Sequence, residues 1–212
     1  MTLLGRLLSF FPTLHIACIG FALCWTVLEP SWIGLLTVPF TVYGLPLCAN
    51  RIHQLFHPVE EGIYRLDEKR HSPWWGAHQF QALFIAVPPL EGILQLVPGL
   101  FSLWLRLWGS SVGKDVYWTP RVEIIDRNLM EVGDRVLFGH HAACYGHAVR
   151  RKNGRLMLYV RKVRFGDDVF IGAYSRIGPG VKIESGSTVP IGTDLYPNQT
   201  FQRESGHSHV VA

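Results

Sequence analysis

Charge is what this sequence has least of where it begins. From Leu7 to Asn50 the single formal charge is Glu29, and a stretch that poor in charge excludes a wholly water-soluble chain. Over all 212 residues only 17% are charged, against roughly 25% in a soluble domain, and most of them stand in the second half, where a water-exposed domain must lie. Cysteine is scarce too. Cys18, Cys24, Cys48 and Cys144 follow no metal or disulfide spacing, which leaves them as small hydrophobes in a reducing or lipid environment. Phosphate-loop and dinucleotide fingerprints are missing, because the glycines recur every six residues and no helix follows them. The net charge is a modest +4, and no nucleic-acid partner is expected. The length allows one ordinary domain with something attached, not a large multidomain enzyme.

Two apolar runs come first. Leu8 to Leu28 and Trp32 to Ala49 can each cross a hydrocarbon core of roughly 30 Å as a helix. Glu29-Pro30-Ser31 leaves room only for a tight turn, so the two form a hairpin. Pro39, Gly44 and Pro46 are tolerable where a neighbouring helix covers the freed carbonyls. Arg6 before the first run and Arg51 after the second place both ends on the cytoplasmic side. A cleaved signal peptide competes, but no A-x-A-like site precedes Glu29 and a second apolar run follows at once. His15 in the first run is a polar group satisfied by the second helix or, less economically, part of a substrate path.

Residues 71–108 are apolar again, with Trp74, Trp75, Phe80, Phe84, Phe101, Trp104 and Trp108 beside His71, His78, Glu91 and Arg106, but Pro88, Pro89 and Pro98 cut them into pieces too short to span. They suit helices lying in the interface or re-entering one leaflet. A soluble helix pair would need a partner layer that the sequence does not supply. The charged strip Asp67 to His71 should face water.

From Val132 the chain has a six-residue period. Large apolar residues stand at Val132, Phe138, Cys144, Phe165, Ile171, Ile177, Ile183 and Val189. Four residues after each comes a small residue or Val: Val136, Ala142, Ala148, Val169, Ser175, Val181, Ser187 and Thr193. Gly follows the apolar residue at 133, 139, 166, 172 and 178. Such a period fits short flat strands joined by tight turns where Gly or Asn accepts a positive φ, three faces closing one triangular coil. Earlier hexads at Val112, Trp118 and Ile124 are degenerate, and a two-residue shift near Met130 implies a bulge at one corner.

The rows break between Cys144 and Phe165. Arg150, Arg151, Lys152, Arg155, Arg161, Lys162 and Arg164 lie there with no acid, around the turn signal Asn153-Gly154. An ejected hairpin is expected, and its charge suits either the phosphates of a ligand or an anionic lipid surface. His140, His141 and His147 cluster nearby, and His is the natural base for removing an acceptor proton near neutral pH. Asp126 is either a turn residue or the group that holds an imidazole tautomer.

Residues 109–192 resemble the hexapeptide-repeat acyltransferases. Leu129-Met130-Glu131-Val132-Gly133-Asp134, then His147, a loop, and the resumed run Val163-Arg164-Phe165-Gly166-Asp167-Asp168-Val169-Phe170-Ile171-Gly172 are most similar to the β-helix domains of ε-poly-lysine-synthetase-type membrane proteins. The loop after His147 is longer and more basic here. The resemblance implies a left-handed parallel β-helix, a homotrimer, an acyl-CoA donor (acetyl-CoA foremost), no metal, and His147 as base. Apart from the resemblance, His141, six residues earlier, takes the equivalent place on the neighbouring face and would orient substrate, and Asp126 in the degenerate hexad would hold the base. Arg150, Arg151 and Lys152 would meet the CoA phosphates, and Gly172, Ala173, Tyr174, Gly178, Pro179 and Lys182 would line the pantetheine path.

The expected organisation is thus a two-helix transmembrane hairpin at 1–51, an interfacial or re-entrant helical region at 52–108, a left-handed β-helix at 109–197 and a polar tail at 198–212. The expected activity is acyl transfer to a hydroxyl or amine of an amphipathic or lipid-linked acceptor at the cytoplasmic membrane. Two rivals stand beside it. A non-catalytic scaffold would bind a partner or anionic lipid through the basic hairpin. A γ-class carbonic anhydrase would need histidines from adjacent turns, and no further His follows His147 before His207.

Overall fold

The computed structural model describes residues 2–67, 71–204 and 207–211, with side chains described through Gln202. Glu68, Lys69 and Arg70 of the charged strip and the side chain of His207 lie outside the described residues. The chain divides into two compact units, Met1–Val59 with Asp67–Leu83, and Glu60–Leu66 with Phe84–Ala212.

The first unit is helical. Thr2 caps helix Leu3–Leu8 by accepting the Gly5 N–H, a turn at Ser9 and Phe10 follows, and helix Phe11–Leu28 runs to Glu29. Ser31 caps the return helix Trp32–Pro39 through the Gly34 N–H at 3.1 Å. Gly34 is where the two helices approach, since a Cβ there would lie 3.3 Å from the Thr26 Cα. Pro39 is followed by a π-helical turn, Phe40–Gly44, and then by helix Leu45–Phe56. His15 Nε2 donates to the Thr41 carbonyl in that turn, at 2.9 Å, so the first helix satisfies a carbonyl beside the irregular turn of the second. By length and composition the stretches Leu3–Leu28 and Trp32–Phe56 are long and apolar enough to cross a membrane, and 11% and 22% of their apolar windows are buried. Both exceed the runs read from sequence. Arg51 consequently lies inside the last helix rather than beyond it. In helix Pro73–Ala86, Trp75 Nε1 donates to the Gly5 carbonyl and Ser9 Oγ, and Phe80 meets Phe11 edge-on at 4.7 Å.

The second unit is built on three parallel sheets, each holding one side of a triangular coil. Residues 111–112, 130–132, 163–165, 182–183 and 200–204 form the first face, 117–118, 137–138, 170–171 and 188–189 the second, and 123–124, 143–144, 176–177 and 194–195 the third. The expected apolar row points inward throughout, and it includes Val112, Trp118 and Ile124 of the degenerate hexads. Trp118 stacks on Phe138 at 4.4 Å, and Phe138 meets Phe165 at 5.0 Å. Cys144 fills one inward place as a small hydrophobe.

The structure corrects several sequence expectations. Gly133, Gly139, Gly166, Gly172 and Gly178 do not carry positive φ; that conformation falls two residues later, at Asp115, Arg121, Arg135, His141, Asp168, Tyr174, Gly180, Gly186, Gly192 and Asn198. The glycines are needed for coil stacking instead, since a Cβ on Gly133 would stand 2.7 Å from the Gly166 backbone. Ala148 belongs to the ejected hairpin His147–Lys152 and Arg155–Val160, not to a coil. Residues 52–108 are not one interfacial region. Strand Gly62–Arg65 pairs antiparallel with Arg155–Val160 and makes the hairpin a three-stranded sheet. Helix Leu100–Trp108 buries Phe101, Trp104, Leu105 and Trp108. Phe101 meets Trp118 edge-on at 5.2 Å, and Trp118 Nε1 donates to Ser102. The missing partner layer is therefore the first coil, whose open end this helix covers. At the other end, Thr200–Glu204 continues the first face beyond residue 198, with Phe201 buried, and His207–Val211 pairs back along it.

Candidate active site

The two-residue shift near Met130 has a structural counterpart in the corner Ile125–Leu129. Its backbone leaves the strand after Ile124 and carries Asp126 and Arg127 into buried positions. Arg127 is held by Glu91, with the Nε–Nη2 edge of its guanidinium bidentate on the carboxylate, while Trp104 Nε1 donates to the same Glu91 at 2.7 Å. With this corner anchored from helix Pro89–Gln95, Asp126 Oδ2 accepts two hydrogen bonds from the next coil, the Gly146 N–H at 2.8 Å and His147 Nδ1 at 2.7 Å. The carboxylate is acceptor-only, so Nδ1 carries the proton and Nε2 becomes the basic nitrogen. The buried carboxylate on Nδ1 also fixes the orientation of the ring.

His147 stands where the third face ends and the hairpin begins, and it opens onto a cleft of about 330 Å³ lined by Tyr145, Arg176, Gly178, Pro179, Asp194 and Tyr196 among others. Arg176 and Asp194, paired across neighbouring coils, bond edge to edge. Each holds the other in its charged form: Asp194 titrates below the ordinary carboxylate range and Arg176 above its usual value. Burial, reinforced by the Glu123 charge, raises the Tyr145 phenol, which therefore enters the cleft as an O–H donor.

Of the sequence candidates, the cleft gathers His147, Gly178 and Pro179, with Asp126 behind His147. His141 lies elsewhere. It occupies the left-handed turn before Ala143–Cys144, whereas His147 follows that strand, and it stacks on Tyr174 of the next coil at 5.1 Å. His141 lines a different cavity of about 660 Å³, mostly apolar, between helix Pro89–Gln95 and the first coil. Gly172 opens no path for a ligand, because its missing Cβ makes room for Pro190 and Ile191 of the adjoining coil, at 2.5 Å. Ala173 precedes Tyr174 at the same corner, and Lys182 points outward on the first face between Arg164 and Thr200. Arg150, Arg151 and Lys152 are exposed on the hairpin and line no part of the cleft.

The basic stretch is also less bare than its sequence. Lys162 and Arg164 pair with Glu131 and Glu61, at positions 31 and 103 residues away in sequence. Tyr145, Arg176, Asp194 and Tyr196 were not singled out by sequence. The one available signal was the 18-residue spacing of Arg176 and Asp194, three hexads, which stacks them one coil apart.

No family model matches the chain. Galactoside O-acetyltransferase from Escherichia coli (strain K12) is 31% identical over 102 residues, which are 43% of this chain and 49% of that protein. The chain thus spans about half the length of that relative. Among solved structures, a hexapeptide-repeat-containing acetyltransferase from Vibrio cholerae is 17% identical with a TM-score of 0.41, covering 61% of this chain and 92% of its own. A maltose O-acetyltransferase from Clostridium difficile 630 is 16% identical with a TM-score of 0.39, covering 72% and 92%. The fold rests on the strand register of this chain, not on these likenesses.

Proposed function

We propose that the chain is an acetyl-CoA-dependent acetyltransferase that acts on a hydroxyl or amine of an amphipathic or lipid-linked acceptor. The observation that carries the reading is the 2.7 Å contact of His147 Nδ1 with buried Asp126 at the cleft mouth. The repeat architecture and the 31% identical O-acetyltransferase support the choice of reaction and of donor. In the reaction, His147 Nε2 accepts the proton of the acceptor hydroxyl or amine as its oxygen or nitrogen bonds to the thioester carbonyl carbon. The tetrahedral adduct collapses with cleavage of the C–S bond, and the leaving thiolate takes its proton from the imidazolium. Asp126 remains ionised throughout and keeps the ring oriented. Tyr145 and the Arg176–Asp194 pair position the acceptor, and Gly178 and Pro179 form the cleft wall along which the donor lies. Arg151, on the same side of the hairpin as His147, is the candidate contact for a CoA phosphate.

The acting form is a homotrimer in this reading. Tyr117, Leu137 and Phe170 make an exposed apolar row across three coils of the second face, with Tyr117 59% exposed, and such a row calls for a covering surface. The apolar helices anchor the protein in the cytoplasmic membrane with the repeats on the cytoplasmic side, an orientation supported by Arg6 and Arg51. Protease added to sealed inside-out vesicles then removes the repeat domain, and protection there overturns the orientation. The activity is tested by thiol release from acetyl-CoA on adding galactosides, lipid-linked sugars or amines to the purified full chain. Release above the acceptor-free rate is expected, and none with any acceptor class contradicts the proposal.

A further inference from the structure

The strand register sorts the hairpin charges onto two sides. Side chains alternate along a strand and cross-strand partners share a side. Arg150 with Met157, Lys152 with Arg155, and Tyr159 with both Ala148 and Ile63 therefore face one way. Leu158 and Val160 face the other way and are fully buried. The first side is the outer one. It presents Arg150, Lys152 and Arg155, all exposed, together with Ile63, which is 53% exposed. Among the described residues these three cations have no carboxylate partner, whereas Lys162 and Arg164 at the hairpin base do.

We propose that this outer sheet face is a docking surface for anionic lipid headgroups, an inference that rests on the membrane reading above. Charge complementarity favours that occupant. The cations form a flat array with two residues' rise between Arg150 and Lys152 and a strand spacing of roughly 5 Å across to Arg155. A flat array matches a plane of phosphates. A single nucleotide is bound instead by converging donors in a concavity, and the backbone N–H groups of the central strand Arg155–Val160 face a neighbouring strand on either side. Ile63, Met157 and Tyr159 stand among the cations, the mixture of apolar bodies and charged tips that settles at the headgroup level. Arg151, turned the other way, takes no part.

The test uses the full chain in lipid nanodiscs, with Cys18, Cys24 and Cys48 replaced by Ser and an environment-sensitive fluorophore on I63C. Discs of phosphatidylcholine alone are compared with discs that also contain phosphatidylglycerol. We expect a blue shift and protection from aqueous iodide in the anionic discs only, reversed by high salt. In R150Q/K152Q/R155Q the docked fraction relative to the free one falls roughly 100-fold, at about five-fold per basic residue. Equal quenching in both lipids, displacement of the probe signal by CoA, or a chain that does not enter discs overturns the proposal. Acetyl transfer measured on the same discs separates the readings: a parent chain that transfers acetyl but shows no docking sinks this inference alone, and a parent chain that docks without transfer sinks only the catalytic assignment.

Discussion

Glu91 and Arg127 form a buried ion pair that ties helix Pro89–Gln95 to the corner carrying Asp126. The pair is 36 residues apart in sequence and almost wholly removed from solvent. Removing one member strands a buried charge. Glu91→Gln should therefore lower stability by about 3–5 kcal/mol, read as a drop in the denaturation midpoint. It should also reduce transfer by displacing Asp126. Glu91→Leu combined with Arg127→Met should recover much of the stability without the activity, and equal losses in the single and double variants would count against the pair.

Two classes of glycine should respond differently. A Cβ on Gly139 would meet the Ala173 nitrogen at 2.5 Å, so Gly139→Ala must push two coils apart. Gly192 has open space and a φ of +70°, so Gly192→Ala should cost only the left-handed backbone penalty of about 1–2 kcal/mol. Thermal unfolding of both variants checks the order, and a larger loss at Gly192 would contradict the stacking role of Gly139.

Acid should loosen the hairpin base. Burial alone would raise Glu61 and Glu131, but hydrogen bonds and charge from Arg164 and Lys162 outweigh it and hold both below the ordinary glutamate range. A depressed carboxyl stabilises the fold above its unfolded pKa, and that contribution is lost as pH falls through the lower, folded value. Stability should decline on the acid side of the usual glutamate range, with a shallower decline in Glu61→Gln/Glu131→Gln. The same slope in variant and parent would remove these residues from the account.

Assembly should depend on the second face. Leu137→Glu with Phe170→Glu places charges on the exposed apolar row while leaving the inward row untouched. Light scattering in detergent, corrected for bound detergent, should give a trimer for the parent and a monomer for the variant; a parent monomer would contradict the assembly.

The inward apolar row was legible because a six-residue spacing in one chain repeats the same environment coil after coil. Long-range pairings left no such trace. Nothing in the local sequence around Gly62–Arg65 announces its pairing with Arg155–Val160, and Glu61 neutralises a residue 103 positions later. The Trp and Phe content of helix Leu100–Trp108 suits a membrane boundary and the end of a β-helix equally well, so composition alone does not separate the two. Gly serves both close approach and positive φ, and the hexad spacing does not say which role a given glycine fills. At the candidate site, His147 and Asp126 were both legible as residues and the shift near Met130 as a bulge, but their contact depends on how that corner folds back onto the next coil, which spacing alone does not give.

Initial acetyl transfer at saturating donor, measured by thiol release for the parent, His147→Ala and Asp126→Asn with trimer content checked on the same samples, bears most directly on the catalytic assignment. Turnover of His147→Ala should fall by roughly 10²–10⁴-fold. Asp126→Asn should fall part of the way, since it can present the wrong tautomer. His147→Ala turning over acetyl-CoA at the parent rate would contradict the assignment.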